Sequence, residues 1–265
     1  MSIPSDVQEF LDEYPREDDD LECNANLEFY SNTHRCRPDN RTIEEIHAEW
    51  FGDYETLEYN HGYIQWLFPI REHGMNFKSQ PLQKHELEAM KANPTIIQRI
   101  LKSYELMLDF YGMHLVSAET GLVDRCQTRN FMPRYRNLVR ASHNNLRISR
   151  IMKCLSEMGL ERLNAGFLLH VLHEQSEREN LVSSSIKSSM DRWWANCLRN
   201  EHERSFIGQL IRKVRSSGDE YVLTRREYEA ILEHRAKTGK LEIPSKVPAS
   251  EVKEEVHAEA AVEEE

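Results

Sequence analysis

Residues 94–112 read PTIIQRILKSYELMLDFYG, and this stretch decides the class of fold. Ile97, Ile100, Leu101, Tyr104, Met107, Leu108 and Tyr111 recur at spacings of three and four, so one wide side of a helix is apolar. Pro94 suits the first helical position, where its missing N–H costs nothing. Gly112 closes the segment. Upstream, residues 83–92 predict a shorter helix. Downstream, residues 113–130 predict a connection in which two short strand-like pieces pair across the ETG turn at 119–121. Beyond it the helical spacing returns from Phe131. Ser142 is placed to cap a helix over 144–158 that Gly159 ends, and helices over 161–175, 183–200, 202–216 and 224–237 follow. Gly218 and Gly239 mark two of the gaps.

Toward the N-terminus the start signals are equally clear. Thr42 and Glu45 stand as N-cap and N3 of a capping box, and Gly52 ends that helix. A second helix is expected from Asp53, with Tyr54, Leu57, His61, Ile64 and Phe68 on one side, stopping before Pro69. The run HRCRPDNR at 34–41 is a turn, residues 21–31 suit a helix, and Ser5 is placed to cap a short one over 5–13. The expectation is an all-α fold, an irregular bundle of about eight helices, because no βαβ alternation occurs. Residues 1–20 are expected as a flexible acidic leader, 21–240 as one helical domain, and 241–265 as a disordered Glu-rich tail.

Charge supports that division. The net charge is −11, but residues 12–22 and 251–265 carry −6 each and residues 1–11 carry −2, leaving +3 on residues 23–250. A balanced body gives no electrostatic footprint for nucleic acid, so none is expected as a partner. Five cysteines at wide spacing, with no CxxC pair, predict free thiols and a reducing compartment. The first residues have neither a basic nor an apolar stretch of secretory type. No run approaches the roughly 20 apolar residues that span a bilayer. An intracellular location follows as the expectation.

The chemistry-bearing motifs are sparse. GxSxG, GxGxxG and the phosphate-binding glycine loop do not occur, and no enzyme activity or cofactor is expected. His170 and His173 stand three apart in HVLHE, but HExxH is absent and no third ligand is marked, so no metal is expected. Two groups remain as candidates. In NHGYIQWLFPIR at 60–71, His61, Gln65, Trp66 and Arg71 combine apolar bulk with polar groups suited to a small peptide, with core packing as the competing reading. Arg136, Arg140, Arg147 and Arg150 suit a face for a phosphate, an acidic protein partner or an anionic membrane surface, the competing reading being a solvated helix side.

Several strings together carry a family resemblance. NLEFY at 26–30, RPD at 37–39, IEEI at 43–46, Trp50, GDYE at 52–55, Asn60-His61 and YIQWLFP at 63–69 are joined by Arg71-Glu72, Asn76 and, later, His143-Asn144, Leu146-Arg147-Ile148 and Leu172-His173-Glu174. Over about residues 23–215 the chain resembles the conserved domain of the opioid growth factor receptor family. The resemblance implies a non-enzymatic receptor for an enkephalin-type opioid peptide that restrains cell growth. It also implies residence in cytoplasm and nucleus, peripheral at the nuclear envelope. The long C-terminal extension with imperfect repeats has no counterpart here, which fits a short receptor-like member. His170 departs from the family pattern while His173-Glu174 follows it.

Overall fold

The computed structural model describes residues 3–15, 18–127, 131–216 and 221–244. Thirteen α-helices occur among them: α1 (Ser5–Leu11), α2 (Ala25–Tyr30), α3 (Ile43–Glu49), α4 (Tyr54–Tyr59), α5 (Ile64–Leu67), α6 (Lys84–Ala92), α7 (Pro94–Phe110), α8 (Met132–Arg140), α9 (His143–Glu157), α10 (Glu161–Glu177), α11 (Ser184–Arg192), α12 (Glu201–Ser216) and α13 (Arg225–Thr238). Two three-residue strands, β1 (Met113–Leu115) and β2 (Val123–Arg125), pair antiparallel with His114 opposite Asp124. The all-α class is as expected. The helices outnumber the eight foreseen: the 54–68 tract divides into α4 and α5, and short helices such as α1 and α2 add to the count.

The start signals act as the sequence implies. Thr42 accepts from the Glu45 amide while the Glu45 carboxylate accepts from the Thr42 amide at 3.1 Å, closing the capping box of α3. Asn93 caps α7, with Pro94 in its first turn. Ser5 does not cap α1, since Pro4 holds that position without a side-chain bond. The tract expected as one helix over 54–68 is divided. α4 ends at Tyr59, and α5 is a single turn. The 183–200 tract also breaks, after Arg192, into a 3₁₀ turn at Trp194–Asn196.

α10 is the axial element. Every residue from 163 to 175 is buried, and α9, α12, α13 and β2 all pack against it. A helix enclosed on all sides has to satisfy its polar groups internally. Glu174 takes both Nε and Nη2 of Arg125 at 2.8 Å, His170 Nε2 meets the Tyr135 hydroxyl at 3.0 Å, and Asn164 donates to the Met152 carbonyl at 2.8 Å. Burial pushes His170 down to about 3, keeping the ring neutral. Gly166 lets the β1–β2 turn approach: a Cβ there would lie 2.5 Å from the Gly121 carbonyl carbon.

The hydrophobic core is continuous from Phe10 to Leu241. It includes the first helix, because Val7 and Phe10 are fully buried and Tyr14 nearly so. The acidic leader around α1 is therefore packed through Val7, Phe10 and Tyr14, with Asp6 directed onto Lys153, while Asp12 and residues 18–20 are exposed. Leu241 is buried as well and Glu242 and Ile243 are exposed, whereas residues 245–265 of the expected tail lie outside the described residues, as does Gly218. All five cysteines are free thiols. No described helix is long and apolar enough to cross a membrane.

Candidate functional site

The break between α4 and α5 creates the site. α4 ends with its last carbonyls unpaired by its own turn, and Arg147 from α9 collects them. Its guanidinium donates to Leu57 O (2.9 Å), Glu58 O (3.3 Å) and Asn60 O (2.8 Å), and also to Asn144 Oδ1 (3.1 Å). A cation at a helix C-terminus is favoured by the aligned peptide dipoles as well as by the hydrogen bonds. With α4 terminated, Asn60–Gly62 turn the chain and Tyr63 begins α5 beneath α9. Arg150 donates from Nε to the Phe68 carbonyl at 2.9 Å, where α5 ends.

Between α5, the loop after Ile70 and α9 lies a solvent-open cavity of about 280 Å³. Its apolar walls are Ile64, Ile70, Met75, Leu146 and Trp193, and its polar ones include His61, Glu72, His143, Arg147, Arg150, Lys153 and Asp6. The α9 members stand at 143, 146, 147, 150 and 153, one side of a helix at 3.6 residues per turn. Leu146 and Met75 form the lips, 73% and 87% exposed. Lys153 is buried, bonded to Glu72 at 2.6 Å and Asp6 at 3.2 Å, so its charge is neutralised within the wall. Glu72 also accepts from the Tyr14 hydroxyl at 2.8 Å. His143 meets Glu58 at 2.8 Å, yet burial and the neighbouring Arg147 hold its pKa below the usual imidazole value.

The four residues singled out in the 60–71 string separate. Trp66 is 2% exposed, belongs to the core and donates Nε1 to the Arg37 carbonyl at 3.0 Å; it does not line the cavity. Gln65 lines it but is committed to the local backbone: its amide nitrogen faces the carbonyls of His61 and Gly62 (3.2 and 3.1 Å) and its oxygen accepts from the Met75 amide (3.2 Å). It therefore shapes the loop that carries Met75. His61 is exposed at the cavity edge, its Nδ1 donating to Tyr59 O at 2.8 Å and its ring 5.3 Å from that of His143. Arg71 points elsewhere, into an adjoining cavity of about 260 Å³ shared with Lys84, Lys91 and Arg199, and bonds Asp19 at 3.3 Å.

The arginine stripe divides too. Arg136 and Arg140 are exposed on α8, while Arg147 and Arg150 face inward from α9. One continuous basic face does not form, because the turn at Ala141–Ser142 redirects the chain between α8 and α9. Lys153, His143, Leu146, Trp193 and Asp6 were not foreseen as lining residues. The spacing of 143, 146, 147, 150 and 153 was the available signal, obscured by a second apolar stripe on the same helix through Ile148, Ile151 and Leu155. Among the described residues no three His, Cys, Asp or Glu side chains converge as a metal site would require.

The all-α scaffold thus holds an open, apolar-walled cavity with charged groups at fixed positions. The conserved region of the opioid growth factor receptor (OGFr) matches residues 19–229, and the chain belongs to that family. Its relatives include the opioid growth factor receptor of Rattus norvegicus, 42% identical over 75% of this chain and 34% of its own length. The Homo sapiens opioid growth factor receptor is 42% identical over 69% of this chain and 27% of its own. Opioid growth factor receptor-like protein 1 of Mus musculus is 36% identical over 82% and 46%. The chain thus spans between about a quarter and a half of the length of these relatives. No solved structure matches it.

Proposed function

We propose that this chain is a receptor-type binding module without catalytic chemistry, and that the α5–α9 cavity takes an enkephalin-type opioid peptide. The observation that carries the reading is the cavity itself, which opens to solvent between the family's most characteristic string and α9. Ligand sites commonly enclose roughly 300–1,000 Å³. At about 280 Å³ this one suits one end of a pentapeptide, the remainder lying across the surface. Receptor names among the relatives agree with a non-enzymatic role. Growth regulation and a nuclear or nuclear-envelope site are part of the same proposal, and imaging of the tagged chain in cells addresses the latter.

Calorimetric titration of the 265-residue chain with Tyr-Gly-Gly-Phe-Met tests the reading. Saturable binding that is lost in Leu146→Asp and retained in the paired Arg136→Glu, Arg140→Glu variant supports it. Leu146 is exposed, so its replacement perturbs the lip with little effect on folding. Absence of binding at high micromolar peptide discards it.

A second reading, a helical protein-interaction module, is favoured by Phe77 and Met75, 92% and 87% exposed on the loop beside the cavity. Large apolar side chains displayed together mark protein contact surfaces. A stoichiometric partner that co-purifies, is lost on Phe77→Ser and is indifferent to enkephalin would select this reading over the first.

A further inference from the structure

The basic side chains of α9 in the cavity wall are engaged by other groups, with Arg150 the least so. Arg147 spends its guanidinium on three main-chain carbonyls and Asn144. Lys153 is balanced by Glu72 and Asp6, and His143 meets Glu58. Arg150 has one hydrogen bond, from Nε to the Phe68 carbonyl, and makes no ion pair among the described residues. Glu72, the carboxylate that favours its charge, is already taken by Lys153 and the Tyr14 hydroxyl. Burial consequently pushes the Arg150 guanidinium down to about 10. A partly buried cation beside the cavity, with its Nη groups uncommitted, is able to receive an anion.

The surroundings say which anion. Ile64, Ile70 and Trp193 line the same cavity, with Leu146 and Met75 at the mouth. A small, doubly charged oxyanion would be desolvated against these walls with one cation to compensate. A single carboxylate joined to an apolar side chain matches both parts, since the guanidinium fork fits a carboxylate with two parallel hydrogen bonds. About 280 Å³ holds that much and little more.

We propose that Arg150 anchors the C-terminal carboxylate of a peptide whose last side chain is apolar and sits between α5 and α9. The carboxylate lies on the two Nη groups, and the apolar side chain meets Ile64, Ile70 and Trp193. This rests on the peptide-binding reading for the existence of a peptide ligand, but not on that peptide being an opioid.

Fluorescence anisotropy with three labelled peptides separates the two claims: Tyr-Gly-Gly-Phe-Met as the free acid, the same sequence as its C-terminal amide, and acetyl-Ala-Gly-Gly-Phe-Met as the free acid. The wild-type chain is expected to bind both acids at least about tenfold more tightly than the amide, as loss of a charge-assisted pair requires. Arg150→Gln should abolish that preference. Arg150→Lys, which keeps the charge without the fork, should retain part of it, and circular dichroism establishes that each variant is folded. Equal binding of acid and amide by the wild type overturns the anchor and leaves the opioid reading standing. Equal binding of the two acids upholds the anchor and removes opioid specificity. Binding of inorganic phosphate with no peptide bound, or no binding of any peptide, overturns the anchor.

Discussion

Replacing Gly166 by Ala reverses the usual effect of that substitution in a helix. In a helix interior, Ala is favoured over Gly by about 1 kcal/mol, chiefly through unfolded-chain entropy. On α10 the added Cβ would fall 2.5 Å from the Gly121 carbonyl carbon and 3.2 Å from its Cα, with the carbonyl oxygen closer still. All three atoms are main chain and no rotamer change relieves them. Gly121 cannot readily yield, because its φ is +82° and its amide is tied to Ser117 O at 2.9 Å. Forcing a methyl into a closed contact costs about 1–3 kcal/mol, and main-chain atoms on both sides place this case at or above the upper end. Subtracting the helix gain leaves a net loss of about 2 kcal/mol or more. At roughly 2–4 °C per kcal/mol for a chain of this size, Tm should fall by about 4–8 °C. Gly208 on α12 is the control. Its added Cβ meets Arg212 Nη1 at 3.6 Å, ordinary contact, so Gly208→Ala should raise Tm by about 2–4 °C. Thermal and urea denaturation followed by far-UV circular dichroism measure both. A Gly166→Ala protein as stable as the parent refutes the packing of the β1–β2 turn on α10.

Three other outcomes are expected. Arg147→Lys keeps the charge but gives up the fork that gathers the α4 carbonyls, so urea unfolding should show a loss of about 3 kcal/mol, with faster amide exchange around residues 57–63. Thr42→Ala removes half of the α3 capping box and should cost about 1 kcal/mol in the same assay. His170 is held neutral down to about pH 3, so below its ordinary value near 6.5 the unfolded chain binds a proton that the folded chain refuses. Stability should therefore fall as pH drops from about 6.5 toward 3, and His170→Gln should lose less over that interval than the parent when ΔG of unfolding is measured at each pH.

Much of the local structure is legible in the residues. The capping box at Thr42–Glu45, the Pro94 start, the glycines at 52, 112, 159 and 239 and the short strand pair each follow from chemistry within a few residues. Interruptions were harder to see. Tyr54, Leu57, His61, Ile64 and Phe68 keep helical spacing across a tract that is not one helix, because Arg147, some ninety residues away, terminates α4 by taking its carbonyls. Trp66 and Arg147 were both visible as candidates, yet nothing local distinguishes a tryptophan that fills the core from one that faces a ligand. The same holds for an arginine that caps a helix and one that awaits an anion.

The sequence by itself determined the helical class, the family, and the strings that identify it, since periodicity, caps and motif identity are properties of neighbouring residues. Tertiary structure decided which of those residues meet. It set Trp66 in the core, turned Arg71 toward a different cavity from His61, separated Arg136 and Arg140 from Arg147 and Arg150, and brought Asp6 and Glu72 onto Lys153. A charge is exposed, neutralised or left uncompensated according to what distant segments bring to it. That Arg150 keeps a single hydrogen bond and no ion pair among the described residues, while Arg147 and Lys153 in the same wall are fully engaged, could therefore emerge only from the folded chain.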